Sequence, residues 1–356
     1  MSIPLLCYNN IKAEIALHGR LAGNVGAAFP HFMELPSLPL VLITNTVPAE
    51  ALAPLKGVAR VELGPAGGDL MPRAEVLRLA PGLAGIVNQA ELKVDQELLE
   101  QAPRLQIVAN VAIGVDNLDL ALMRRHGVYA TNVPHAFVEA TADYTLGALL
   151  ALGRRLHDAD RYVRAGEWKG FQPGLWDGVL LEGKVLGLVG YGAIGRAVAQ
   201  RARGFGLRVI HHQRTPSDDP AHVPLDRLLA EADFVSLHLP LNQDSHGLIN
   251  ASRLARMKRG SYLINAARGR VVDEAALVAA LQSGHLAGAA LDVFEHEPRV
   301  HPALLGMRNV LLSPHLGGGT HESRHRARFH CVSDVARVLA GLKPVSALND
   351  PVPRLP

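Results

Sequence analysis

The stretch VLGLVGYGAIGRAVAQRARGFGLRVIHHQRT, residues 185–215, holds an apolar strand, a glycine-rich turn, a helix and a second strand. In Gly190-x-Gly192-x-x-Gly195 each glycine has a task. Gly190 permits the tight turn, Gly192 lets the backbone approach a pyrophosphate, and Gly195 lets helix and strand pack closely. The N-terminus of the helix that follows the loop offers unpaired N–H groups and a partial positive charge to phosphates, with Ala193 and Ile194 of the loop as further cofactor-binding candidates. About 20 residues beyond the loop's start a dinucleotide site places an acid that accepts hydrogen bonds from the adenosine ribose. Here Gln213, Arg214 and Thr215 occupy that place. Gln213 does not repel a 2′-phosphate, Arg214 can pair with one through two parallel bonds, and Thr215 adds a hydroxyl. The expected cofactor is therefore NADP. NAD is the alternative, with Gln213 on its ribose and Arg214 merely solvated.

Two other constellations are weaker. His321 and His325 are spaced to share a helix face as metal ligands, but no third ligand is evident and no metal is expected. The run RLARMKRG (253–260) invites a nucleic-acid reading. It precedes a buried strand, however, and a net charge of +3 over 356 residues makes no case for such a partner. Cys7 and Cys331 form no disulfide or metal pattern, which fits a reducing cytoplasm. No apolar run approaches the ~20 residues that cross a bilayer, and the start of the chain lacks the features of a signal peptide. A cytoplasmic protein without a membrane partner is expected.

The elements that must position these residues alternate along the chain. A length of 356 residues with 48% hydrophobic residues suits two domains. From Leu40, LVLIT, ARVEL, LAGIVN and LQIVAN read as buried strands; PAEALAPLKG, PRAEVLRLAPG and DQELLEQAPR between them have helical spacing. The rhythm restarts at Val128 with VYATNV, VLGLVG, LRVIHH, DFVSLHL, SYLINAA, AGAALDVF and NVLLSPH. A long helical pattern runs from about Ala136 to Ala165. Such alternation predicts parallel sheets covered on both faces by helices. The expected division is an accessory extension over 1–39, a first domain of 40–115 plus 316–356, and a second of 116–315. The helical segment HESRHRARFHCVSDVARVLAG returns to the first domain.

Taken in order, IGVDNLDL, TNVPHAFVEATADYTLGALLAL, the glycine loop, LHLPL, MKRGSYLINAARG, ALDVFEHEP and LSPHLGGGT resemble the D-isomer-specific 2-hydroxyacid dehydrogenases. The pattern is most similar to the glyoxylate/hydroxypyruvate reductases. The resemblance runs from about Leu40 to the last helix. It implies an α/β protein of two doubly wound parallel-sheet domains: a flavodoxin-like substrate domain and a Rossmann-like cofactor domain, with a cleft between them. It also implies that the catalytic residues are Arg268 of the ARG motif, Glu297 of the DVFExEP segment and His315 of the SPH motif.

Those three residue types suit the reduction of a 2-keto acid, which needs a hydride at the carbonyl carbon and a proton at its oxygen. His315 can give the proton, Glu297 can orient the imidazole and favour its protonated form, and Arg268 can grip the substrate carboxylate. The nicotinamide supplies the hydride. By the same resemblance, backbone N–H groups of Ala112, Ile113 and Gly114 hold the substrate carboxylate, and Thr141 lies near the cofactor phosphates. Asp292 accepts from the nicotinamide amide and Ala266 lines the same pocket. Gly317 and Gly318 stand where many relatives carry other small residues. GEWKGFQPGLW resembles the dimer-forming region, so a homodimer through the cofactor domain is expected, with Trp168 and Trp176 as anchors. The expected activity is reduction of glyoxylate or hydroxypyruvate. A 2-ketogluconate reductase, a phosphite-type dehydrogenase and a corepressor-like nucleotide-sensing scaffold share similar motifs.

Overall fold

A computed structural model describes residues 38–352. The expected extension over 1–39 thus lies almost wholly outside the described residues. Two compact units divide the chain, Met1–Val133 with His325–Pro356, and Pro134–Arg324.

The first unit is built on a parallel sheet of β1 (Leu40–Ile43), β2 (Arg60–Leu63), β3 (Leu83–Asn88), β4 (Ile107–Asn110) and β5 (Tyr129–Thr131). Its order is β2-β1-β3-β4-β5, the flavodoxin-like order. Every residue of β1, β3 and β4 is buried, which is why these strands read as unbroken apolar runs rather than as alternating ones. The last part of the chain completes this unit: the Cys331 thiol, in the helix His321–Leu339, donates to the Asn110 carbonyl at 3.3 Å.

Three expectations need correction. VYATNV does not open the second domain. Its strand β5 pairs with β4, Ile107 opposite Tyr129 and Ala109 opposite Thr131. The Asp119-capped helix Leu120–Arg125 buries Leu122 and Met123 in the same core. An apolar strand satisfies the open edge of β4 and buries itself in one step, so the units part after Val133 and Arg324 rather than at 115/116 and 315/316. PAEALAPLKG forms a 3₁₀ segment, Ala49–Leu55, because Pro54 inside it lacks an N–H donor. The long helical pattern from 136 to 165 is two helices, Val138–Gly153 and Leu156–Arg164. Between them Arg155 takes φ +53°, and the Gly153 carbonyl accepts from Val179 N–H at 2.7 Å instead of from a further helical turn.

The second unit carries six parallel strands, β6 (Val185–Val189), β7 (Arg208–His212), β8 (Phe234–Leu237), β9 (Tyr262–Asn265), β10 (Gly288–Leu291) and β11 (Val310–Leu312). They lie in the order β11-β10-β9-β8-β6-β7. A parallel bridge between His211 and His222 adds one short further rung beyond β7. Counting it, the order is that of the Rossmann fold, with the reversal at β6 where such sheets bind ligands beyond their carboxyl ends. The helix Ala193–Arg203, which leaves the glycine loop, is clamped to the helix Val138–Gly153. Arg201 bonds Glu139 at 2.7 Å and Asp143 at 2.6 Å. Among the described residues no helix is long and apolar enough to cross a membrane.

Candidate active site

The glycine loop turns at the end of β6, and its three glycines are needed for different physical reasons. Gly190 adopts φ +98°, and a Cβ there would stand 2.2 Å from the His238 carbonyl oxygen. A Cβ at Gly195 would stand 2.4 Å from the Gly190 oxygen, so the helix could not pack on the turn. Gly192 is different: a Cβ would meet nothing within 4 Å. It faces open space at the start of the helix Ala193–Arg203, and no side chain caps that end. Helix N–H groups, Ala193 and Ile194 among them, are therefore left at an open, uncapped end.

At the end of β7, the Gln213 carbonyl accepts from His222 Nε2 at 3.3 Å. Arg214 is exposed, and its Nη1 pairs with Asp244 Oδ2 at 2.9 Å. Thr215 is exposed beside it. No carboxylate from β7 itself occupies the ribose position.

The structure brings His315 and Glu297 together, from a loop after β11 and a loop after β10. His315 Nδ1 lies 2.9 Å from Glu297 Oε2, while Glu297 Oε1 accepts from Phe294 N–H at 3.1 Å. Burial pulls the Glu297 carboxyl upward. The hydrogen bond and charge of His315, the Phe294 N–H and the nearby charge of Arg268 outweigh it and hold the group below the ordinary glutamate range. Arg268 follows β9 in an extended conformation, φ −143°, with its Nη1 on the Ala267 carbonyl at 2.8 Å.

Asp292 is buried and organises the loop that carries His315. Its Oδ1 accepts from Ser313 Oγ at 2.6 Å and Leu316 N–H at 2.9 Å, and its Oδ2 from Gly317 N–H at 2.7 Å. The Asp292 carbonyl takes the His315 N–H at 2.8 Å, and His315 itself has φ +53°. Ser313 gives its one proton to Asp292, so Tyr144 donates its hydroxyl to Ser313, 2.6 Å away. Burial, with the charge of Asp292, pushes the Tyr144 phenol up to about 12, and the tyrosine stays protonated. Gly317 and Gly318 allow this folding: a Cβ at 317 would lie 3.0 Å from Asp292 Oδ2, and one at 318 would lie 2.9 Å from the Phe137 ring.

Ala266 lies in the turn after β9 that Asn265 braces. The Asn265 side chain donates to the Arg268 carbonyl at 3.0 Å and accepts from Ala267 N–H at 3.1 Å. Thr141 is buried and donates its hydroxyl to the Phe137 carbonyl at 2.9 Å. In the first unit the loop of Ala112, Ile113 and Gly114 has all three carbonyls tied back. Their donors are Val133 N–H at 3.0 Å, Asn132 Nδ2 at 2.7 Å and Asn110 Nδ2 at 3.3 Å. Such fixed peptide planes preset where the loop's N–H groups point.

Several residues of these networks are not among those the sequence reading singles out. Asn88, whose Nδ2 donates to Asn110 Oδ1 at 3.1 Å, Asn110 and Asn132 each stand at or just past the carboxyl end of a strand, where a polar residue closing an apolar run is a readable signal. Gly269 and Glu274 carry a fainter one. A Cβ at Gly269 would lie 1.9 Å from Phe294 backbone atoms, and Glu274 accepts from Glu295 N–H at 2.6 Å. Both join the Arg268 turn to the segment bearing Glu297.

The sequence model of the D-isomer specific 2-hydroxyacid dehydrogenase NAD binding domain matches residues 146–317. A glyoxylate reductase from Thermococcus litoralis is 41% identical over 296 residues, covering 80% of this chain and 89% of that protein. The structure of a protein from Thermus thermophilus superposes with a TM-score of 0.83 at 42% identity, over 87% of this chain and 99% of the other. An NADPH-dependent glyoxylate/hydroxypyruvate reductase from Sinorhizobium meliloti, solved with NADP and malonate, gives a TM-score of 0.77 at 30% identity over 90% and 99% of the two chains. This chain is a member of the D-isomer-specific 2-hydroxyacid dehydrogenase family.

Proposed function

We propose that the protein reduces glyoxylate and hydroxypyruvate to the 2-hydroxy acid, of D configuration where the product is chiral, with NADPH preferred over NADH. The observation that carries the reading is the bond between His315 Nδ1 and Glu297 Oε2. With Glu297 ionised and fixed by Phe294 N–H, the imidazole is oriented and its Nε2 is the nitrogen that gives the proton to the carbonyl oxygen. Arg268 binds the substrate carboxylate and stabilises charge developing on the carbonyl oxygen. In the first unit the loop of Ala112, Ile113 and Gly114, with its carbonyls tied back, presents N–H groups suited to a carboxylate.

When bound, the nicotinamide supplies the hydride. Gly190, Gly192 and Gly195, with the N–H groups of Ala193 and Ile194, hold the pyrophosphate, and Thr141 borders it. Ala266, Asp292, Gly317 and Gly318 border the nicotinamide. Gln213, Arg214 and Thr215 receive the 2′-phosphorylated ribose. The preference for NADPH is supported by the missing acid after β7 and by the NADP-bound Sinorhizobium meliloti relative. The acceptor is supported by the glyoxylate reductases at about 40% identity.

A homodimer through the second unit is supported by its exposed apolar side chains. Trp168 is 60% exposed, Phe171 90% and Leu180 73%. Trp176, by contrast, packs on Tyr162 and under Arg155 within the unit. A cytoplasmic location fits a reaction that draws on the reduced nicotinamide pool.

The test is kcat/KM for NADPH and NADH with glyoxylate and with hydroxypyruvate. An NADPH preference that Arg214→Ala removes supports the reading, and an NADH preference overturns the cofactor assignment. Absence of turnover with both acceptors overturns the substrate assignment. Sedimentation of Phe171→Ser against the parent protein tests the dimer.

A further inference from the structure

Arg214, the group assigned to the 2′-phosphate, already has an anionic partner. Its Nη1 lies 2.9 Å from Asp244 Oδ2. Arg214 follows β7, and Asp244 lies in the loop that follows β8. These strands flank β6 on either side and run parallel to it, so both loops leave the same end of the sheet as the glycine loop. The ion pair therefore joins the two flanks of the reversal point where a dinucleotide is expected.

The position of Asp244 is built rather than incidental. Asn242 Oδ1 accepts from the N–H groups of Asp244 and Ser245, each at 3.0 Å. Ser245, itself buried, donates to the Pro240 carbonyl at 2.7 Å and accepts from Asn242 N–H at 2.8 Å. The pair it forms is open to water, with side-chain exposures of 84% for Arg214 and 74% for Asp244. Such a pair is weak enough for a phosphate to displace.

We propose that Asp244 is a specificity-determining residue, returning from β8 the carboxylate that β7 lacks. It neutralises Arg214 until a 2′-phosphate replaces it, and then stands as a like charge beside that phosphate. With an unphosphorylated ribose, it accepts from a hydroxyl. The pair thus lowers selectivity for the phosphorylated adenosine and widens the range of cofactors used. The inference rests on the assignment of Arg214 to the 2′-phosphate.

The experiment compares the parent protein, Asp244→Asn and Arg214→Ala. It measures binding of adenosine 2′,5′-bisphosphate and adenosine 5′-monophosphate by calorimetry at low salt. The ratio of kcat/KM for NADPH over NADH is measured alongside. The expected result for Asp244→Asn is about three-fold tighter bisphosphate binding, no gain for the monophosphate, and a higher NADPH/NADH ratio. Unchanged or weaker bisphosphate binding in Asp244→Asn, or an equal gain for both probes, overturns the inference. If Arg214→Ala weakens the bisphosphate at the same time, the cofactor reading survives that failure. If Arg214→Ala leaves bisphosphate binding unchanged, the reading and the inference fall together.

Discussion

His315 and Glu297 meet through Nδ1 and Oε2 at 2.9 Å, and the second carboxylate oxygen is held by the Phe294 N–H. A carboxylate fixed on both oxygens sets the plane of the ring it touches and keeps the N–H on Nδ1, which leaves Nε2 to take up and hand on a proton in the proposed reduction. His315→Gln keeps a polar side chain but cannot carry a proton between the two states. It is expected to lower kcat by about 10²–10⁴-fold with cofactor binding retained, as read by nucleotide titration. A loss below ten-fold shows that another group supplies the proton.

The Glu297 carboxyl lies below its ordinary value of 4.5 against the upward pull of burial, held there by His315, Phe294 N–H and Arg268. A depressed carboxylate contributes native stability above its ordinary value and loses it as pH falls through the depressed one. The pair therefore persists across the working range. Removing the negative charge beside the imidazole disfavours the protonated ring that reduction needs. In Glu297→Gln kcat for reduction is expected to fall by about 10²-fold with nucleotide binding retained. A loss below about three-fold refutes the coupling.

Arg268→Lys keeps the charge and loses the planar fork that pairs with a carboxylate through two bonds. The expected effect is a rise in KM for the keto acid with a fall in kcat, together about 10²-fold in kcat/KM, and an unchanged affinity for NADPH. Equal KM values in the two proteins show that the arginine does not bind the substrate carboxylate.

Much of this arrangement was legible in the residues, for reasons that differ by part. The central strands of both sheets are buried on both faces, so they stand out as short apolar runs with glycine or proline between them, whereas β2, expected to be buried, lies at a sheet edge and is mostly exposed. The glycine loop reads clearly because Gly190 and Gly195 have no room for a Cβ and Gly192 must leave space open. What was not legible depends on distant partners. Nothing local in VYATNV says that β4 offers it an edge, and Arg155 is not a residue type that announces a left-handed break. The Arg214–Asp244 pair spans 30 positions, so the stretch 185–215 shows only its arginine. The asparagines behind the Ala112–Gly114 loop likewise work as a set that only the sheet assembles.

Gly269 separates the turn bearing Arg268 from the backbone at Phe294, whose N–H holds Glu297. A Cβ at 269 would stand 1.9 Å from Phe294 carbon and oxygen, so both backbones must move. Gly269→Ala is expected to lose about 2–3 kcal/mol of stability and to lower kcat more than KM, because the displaced group is the one that orients His315. Urea unfolding and steady-state kinetics on the same preparation measure both. A variant with parental stability and kcat contradicts the close approach.

His238, at the end of β8, ties the same region to acid stability. Its backbone N–H donates to the Val189 carbonyl at 2.7 Å, its carbonyl crowds Gly190, and its Nε2 lies 2.9 Å from Ser236 Oγ. Burial pushes the imidazole down from 6.5 to about 4. The unfolded chain then takes up this proton below about pH 6.5, while the folded one does not until about pH 4. Stability is therefore lost as pH falls through that window, by about 2 kcal/mol at pH 5 relative to pH 7.5. Other groups titrate there too, so the informative quantity is the difference between proteins. In His238→Gln the loss between pH 7.5 and 5, measured by urea unfolding, should be smaller than in the parent by about that amount. An identical loss in both shows that His238 is protonated in the folded protein as readily as in the unfolded chain.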